Sequence, residues 1–158
     1  MVLKEMSLHR RIISNDLVTF MKRYNMPVPD ELKGEINIRI LVLSNDSPSL
    51  TAINNALSSM SSDYITDTAI DEFEIGNKLA LFKPDIIVID IEQTGLDGYK
   101  IIEKIRRAGG NAKILAVSAY GDDLRRERTL KAGADSFLLK PFSTDDFIRI
   151  IEWLYKSS

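Results

Sequence analysis

The sequence predicts an α/β fold: a five-stranded parallel sheet with helices on both faces. Beyond residue 36, five short aliphatic and β-branched runs alternate with five longer amphipathic stretches. The runs are almost continuously apolar, as in strands buried on both faces, and lack the alternation of a sheet with one wet face. The 158 residues suit one ordinary domain with a small extension, and 44% hydrophobic with 28% charged residues is a globular balance.

Taken in order, Ser14 is placed to cap a helix from about Asn15 to Tyr24. Leu17, Phe20 and Met21 should be buried there, because a helix this short is marginal alone. Asn25 suits a left-handed terminating position, and Pro27 and Pro29 then force an extended break. Ile38 to Leu43 reads as a buried strand, and Pro48 to Met60 as a helix with Leu50, Ile53 and Leu57 along one side. Tyr64 to Thr68 is a weaker strand, followed by a helix from Asp71 to Phe82 that Lys83-Pro84 closes. Ile86 to Ile89 is the clearest strand and ends in Asp90. A helix from Tyr99 to Ala108 stops at Gly109-Gly110. Strand Ile114 to Val117, helix Asp122 to Ala132, strand Ser136 to Leu139 and helix Thr144 to Tyr155 complete the pattern. The expected divisions are a basic helical extension over 1–30, a linker over 31–35 and the α/β domain over 36–158.

Composition narrows the chemistry. The chain has no cysteine, hence no disulfide, thiolate metal site or cysteine nucleophile, which fits a cytoplasmic location. A single histidine, His9, argues against a histidine-rich metal site or a Ser-His-Asp triad. No apolar run has the length of a membrane span, so no membrane partner is expected.

Ligands of such folds bind beyond the carboxyl ends of the strands. Ser44, Asn45 and Asp46 follow the first strand, Asp90 ends the third, Ser118 follows the fourth and Lys140-Pro141-Phe142 follows the fifth. Converging carboxylates favour Mg²⁺, an aspartate among them can attack phosphorus, and a lysine and a hydroxyl can bind phosphoryl oxygens. The plain alternatives are that Asp90 caps its loop, that Asn45 and Asp46 only start a helix, and that Lys140 is a surface lysine.

Three segments together resemble the receiver domain of two-component response regulators. They are Pro84-Asp85-Ile86-Ile87-Val88-Ile89-Asp90, Gly95-Leu96-Asp97-Gly98-Tyr99, and Lys131-Ala132-Gly133-Ala134-Asp135 with Phe137-Leu138-Leu139-Lys140-Pro141-Phe142. The resemblance implies a flavodoxin-like sheet of order 2-1-3-4-5 and a signalling module rather than an enzyme. It implies Asp90 as phosphoacceptor from a histidine kinase, Lys140 as the salt-bridging lysine and Ser118 as the hydroxyl that senses the phosphoryl group. Phe137 becomes the aromatic that reorients, and Mg²⁺ would be held by Asp46, Asp90, the Glu92 carbonyl and Asn45.

Three positions depart from the family pattern. The acidic pair after the first strand is either Asn45 and Asp46 or, aligned on the strand start, Ser44 and Asn45. The first is preferred because it keeps the family's usual span to Asp90. Thr94 stands where proline is common, and Phe137 where tyrosine is frequent. The neutral Asn45 also leaves room for a pseudo-receiver, a phosphorylation-independent interaction module. Asp90-Ile91-Glu92-Gln93-Thr94 faintly echoes haloacid dehalogenase-like phosphohydrolases, but Glu92 replaces the needed acid.

Leu8-His9-Arg10-Arg11-Ile12, with Asp16-Leu17 and Phe20-Met21, resembles the tail of an excisionase or MerR-like winged helix-turn-helix. His9, Arg10 and Arg11 match its basic hairpin. Only eight residues precede His9, too few for the helices that come before such a tail. Either the segment is part of a larger domain or it serves as a docking arm, and a solvated basic turn with a packing helix explains it equally, so DNA binding should be weak or absent and salt-sensitive. The last helix places Phe147, Ile148, Ile150, Ile151, Leu154 and Tyr155 on two adjoining stripes, more apolar surface than one packing side usually consumes, which predicts a homodimer.

Overall fold

A computed structural model describes residues 17–33, 38–59, 64–92, 97–108 and 110–157. They fall into two compact units, Met1–Asn37 and Ile38–Ser158. His9, Arg10 and Arg11 lie outside the described residues, as do the Ser14 cap and Thr94.

In the first unit, helix α1 covers 17–23 and ends as expected, with Asn25 in the left-handed region at φ 53°. The expected burial is not realised: Leu17 and Phe20 are 45% and 53% exposed and Met21 is half-buried, while Val18 is the buried residue. Phe20 instead meets Tyr24 one turn on, their ring centroids 4.7 Å apart, which is the i,i+4 pairing an exposed helix face allows. The stretch expected to be a linker contains a single helical turn, α2 (Asp30–Lys33), started by Leu32 N–H donating to Pro29 O at 3.0 Å. Proline's fixed φ suits the start of a helical turn, so the second proline begins structure as well as ending it.

The second unit alternates β1 (Ile38–Leu43), α3 (Ser47–Ser58), β2 (Tyr64–Ala69), α4 (Glu72–Leu81), β3 (Ile86–Asp90), α5 (Gly98–Arg107), β4 (Lys113–Ser118), α6 (Asp123–Ala132), β5 (Ser136–Leu139) and α7 (Thr144–Lys156). The strands pair in parallel in the order β2-β1-β3-β4-β5. Period-two alternation sends Leu41, Leu43, Ile87, Ile89, Ile114, Ala116 and Phe137 to one face, against Ile75 of α4 and Ile101, Ile102 and Ile105 of α5. Ile40, Val42, Ile86, Val88, Leu115 and Val117 face the other way, against Ile53 and Leu57 of α3 and Phe147, Ile151 and Leu154 of α7. Both faces are thus covered, which is why β1, β3 and β4 read as nearly unbroken apolar runs.

Helix starts are set by short polar side chains. Asp46, Asp71, Asp97, Asp122 and Ser143 each accept a backbone N–H from the first turn of α3, α4, α5, α6 and α7. Gly98 opens α5 so close to Ile91 that a Cβ there would lie 3.0 Å from the Ile91 Cα, which keeps the helix start tight against the end of β3. At the amino end of the sheet one guanidinium joins three segments. Arg106 donates to the carbonyls of Gly133 at 2.8 Å, Ala112 at 2.7 Å and Gly110 at 3.2 Å, and pairs with Asp135 at 2.6 Å. Among the described residues no helix is long and apolar enough to cross a membrane.

Candidate functional site

The sheet register brings the predicted strand-end residues to one edge. Leu43 lies opposite Ile89 and Asp90 opposite Val117, so the carboxyl ends of β1, β3 and β4 finish side by side. Asp90 is only 3% exposed, and a carboxylate this buried needs partners. Lys140 supplies them, its Nζ lying 3.1 Å from both Oδ1 and Oδ2. Ser44 donates its hydroxyl to Oδ2 at 3.2 Å, and the Glu92 N–H reaches Oδ1 at 3.3 Å. A buried pair of this kind adds little net stability, since desolvation offsets attraction. What it does is fix an anionic oxygen pair at a strand end with a cation beside it.

Asp46 stands one step back. Its carboxylate caps α3, accepting the Ser49 N–H at 3.1 Å and the Ser49 hydroxyl at 2.5 Å. The Ser49 oxygen in turn accepts from Lys140 Nζ at 3.1 Å, so Asp46 and Asp90 are bridged through Ser49 and Lys140. The plain cap reading of Asp46 is therefore realised together with a place in the site network. Ser44, one residue past the paired end of β1, bonds Asp90 directly, whereas Asp46 reaches it through Ser49 and Lys140. The Ser49 hydroxyl, its N–H and, less strongly, the Lys140 charge hold the Asp46 carboxyl below its ordinary value of 3.8. A lowered value means that the cap's contribution to stability is complete above about pH 4 and is lost as pH falls through the lowered value.

Ser118 is fully buried at the end of β4, with its hydroxyl turned to the Glu92 carboxylate. The carbonyl of Tyr120, at 2.9 Å, is the alternative acceptor for that one proton, and the Tyr120 N–H donates back to the Ser118 oxygen at 3.1 Å. The second Glu92 oxygen takes the Ala119 N–H at 3.1 Å, and Arg125 of α6 pairs with the first at 3.1 Å. Phe137 of β5, beside Ala116 of β4, is buried in the core.

A family profile described as the response regulator receiver domain matches residues 40–152. The chain belongs to that family. It is a receiver domain of a response regulator in two-component signalling. Response regulator MprA of Mycobacterium bovis (strain BCG / Pasteur 1173P2) is 30% identical over 113 residues, which are 72% of this chain and 48% of that protein. The chain thus spans about half the length of the curated relatives it matches. A signal receiver domain from Bermanella marisrubri is 31% identical with a TM-score of 0.65, covering 75% of this chain and 98% of the other. A response regulator from Thermotoga maritima is 26% identical with a TM-score of 0.69, covering 78% and 100%.

In this receiver the residues missed by sequence reasoning are Ser49 and Arg125. Ser49 had a local signal, since Asp46 and Ser49 are three apart across a helix start, the spacing at which a capping side chain and the N3 residue meet. Arg125 had none, because its partner is 33 residues away. The donor set suits Mg²⁺, a hard cation that takes one or two carboxylates and keeps waters: Asp46 and Asp90 are both oxygen donors at this edge. Among the described residues no group of three or more acidic, histidine or cysteine side chains gathers to hold a metal, so a tighter all-protein cage does not fit.

Proposed function

We propose that this receiver accepts a phosphoryl group on Asp90 from the phosphohistidine of a histidine kinase, acting in the cytoplasm as a signalling module rather than as an enzyme that turns over a substrate. The observation that carries the proposal is the buried Asp90 carboxylate, gripped by Lys140 at a strand end. One Asp90 oxygen forms the new O–P bond as the P–N bond of the phosphohistidine breaks, and the imidazole nitrogen keeps the electron pair and takes up a proton. Lys140 then balances charge on the acyl phosphate, and the Ser118 hydroxyl and the Ala119 N–H are the nearby donors for a phosphoryl oxygen. Asp46, Asp90, the Glu92 carbonyl and the neutral oxygen of Asn45 would hold Mg²⁺, which supplies positive charge against the phosphoryl oxygens. Phe137 repacks as Ser118 is drawn toward the phosphoryl group, a population shift between two states.

The metal assignment is open to calorimetric titration. Replacing Asn45 by Asp restores one charge at an exposed position, worth about 1–2 kcal/mol at an effective dielectric near 20 or above. Asn45→Asp should tighten Mg²⁺ binding by roughly tenfold. Asp46→Asn should abolish it; binding that survived Asp46→Asn would transfer the metal role to Asn45. A second reading, the pseudo-receiver, is favoured by the neutral Ser44 hydroxyl beside Asp90, where the alternative alignment calls for acid. It would replace the first if no variant bound Mg²⁺ or took up phosphate.

Association through α7 and its neighbours belongs to the same proposal, on a smaller surface than the sequence pattern implies. Phe147, Ile151 and Leu154 are consumed by the chain's own core, leaving Trp153 of α7, Leu139 of β5 and Leu124 of α6 exposed at 57%, 45% and 77%. Sedimentation velocity should show a dimer that beryllofluoride tightens. A monomer at high concentration in both conditions would remove this part.

A further inference from the structure

Glu92 enters the proposed function only through its main-chain carbonyl, yet both oxygens of its side chain are engaged at this edge. One oxygen takes the Ser118 hydroxyl and the Arg125 guanidinium, and the other takes the Ala119 N–H. These are a hydroxyl, an amide and a cation arranged around one anion, with the Glu92 side chain 22% exposed. A phosphoryl oxygen on Asp90 would need the same hydroxyl and amide, and each has one proton to give. We infer that the Glu92 carboxylate is an internal plug in the phosphoryl-oxygen seat, which must be expelled before Ser118 and Ala119 can bind a modified Asp90.

The inference rests on the assignment of Asp90 as phosphoacceptor and adds a regulatory element to it. A ligand that binds only the open seat has its affinity reduced by the fraction of molecules in which the seat is open. Expelling Glu92 also releases Arg125. That residue sits in the first turn of α6, with its guanidinium 4.8 Å from the Tyr120 ring centroid and 4.0 Å from Asp122. The plug thus links occupancy of the seat to the start of α6.

Two variants test this on the intact chain. With Mg²⁺ present, Glu92→Ala should bind beryllofluoride about tenfold more tightly than the parent protein, corresponding to about 1.4 kcal/mol. Glu92→Gln, which keeps the shape and loses the charge, should fall between them. Amide hydrogen exchange separates a plug from simple removal of a nearby negative charge. Without beryllofluoride the Ala119 amide should exchange at least about tenfold faster in Glu92→Ala than in the parent, and beryllofluoride should restore its protection. Equal beryllofluoride affinities, or an Ala119 amide indifferent to Glu92, would overturn the plug while leaving the phosphoacceptor intact. If neither protein bound beryllofluoride, the phosphoacceptor assignment would fall first and the plug with it.

Discussion

Asp90→Asn should take up no phosphoryl group when incubated with acetyl phosphate and Mg²⁺, whereas the parent protein should gain one, as read by intact mass. The amide keeps the shape of the carboxylate and an oxygen for the Ser44 hydroxyl, but it offers no anionic oxygen to attack phosphorus. Lys140 loses its charge partner in the same variant. With 20% of its side chain exposed it is partly solvated, so the fold should survive and the loss should report chemistry. A phosphoryl adduct persisting in Asp90→Asn would show that another carboxylate at this edge is the acceptor, and peptide mapping would separate Asp46 from Glu92.

Phe147→Ala should be strongly destabilising. Phe147 is fully buried between α7 and the β1–β3–β4 face, and its ring stacks on Phe142 with centroids 5.3 Å apart and planes at 24°. Truncating a buried phenylalanine costs about 3–5 kcal/mol from lost burial and the cavity left behind. That is a large part of the roughly 5–15 kcal/mol that holds a domain of this size together. Urea unfolding should show a lower midpoint with little change in slope. A midpoint shift worth under about 1 kcal/mol would mean that the site collapses around the missing ring.

These two residues mark what the sequence makes legible. The sheet could be read because its strands are buried on both faces: Ile86 to Ile89 can hardly be anything but an interior strand. Asp90 could be read because polar residues ending such strands converge by topology alone. The register fixes which of them touch, and this was not legible around β1. Counting residues to Asp90 selects Asp46, while the Ser44 hydroxyl is what bonds Asp90 directly. Ser49 reaches Lys140 across 91 residues, and no local pattern encodes such a meeting. The α7 stripes are legible as apolar, but periodicity cannot say whether an apolar face meets its own core or a second molecule. Burial assigns most of it to the core. Leu17 and Phe20 teach the same lesson in reverse, being apolar, helical and exposed.

The Arg106 knot at the amino end of the sheet has a mechanical consequence. It clamps Gly133, just past the last turn of α6, to the segment leading into β4, while Asp135 also accepts the Ile114 N–H at 2.8 Å. One end of α6 is therefore bolted down, and the other carries Arg125. A rod pinned at one end answers a push at the other by tilting. A disturbance at Arg125 then moves the start of α6 most and fades toward the Gly133 end, over roughly 15 Å of helix, about ten residues at 1.5 Å each.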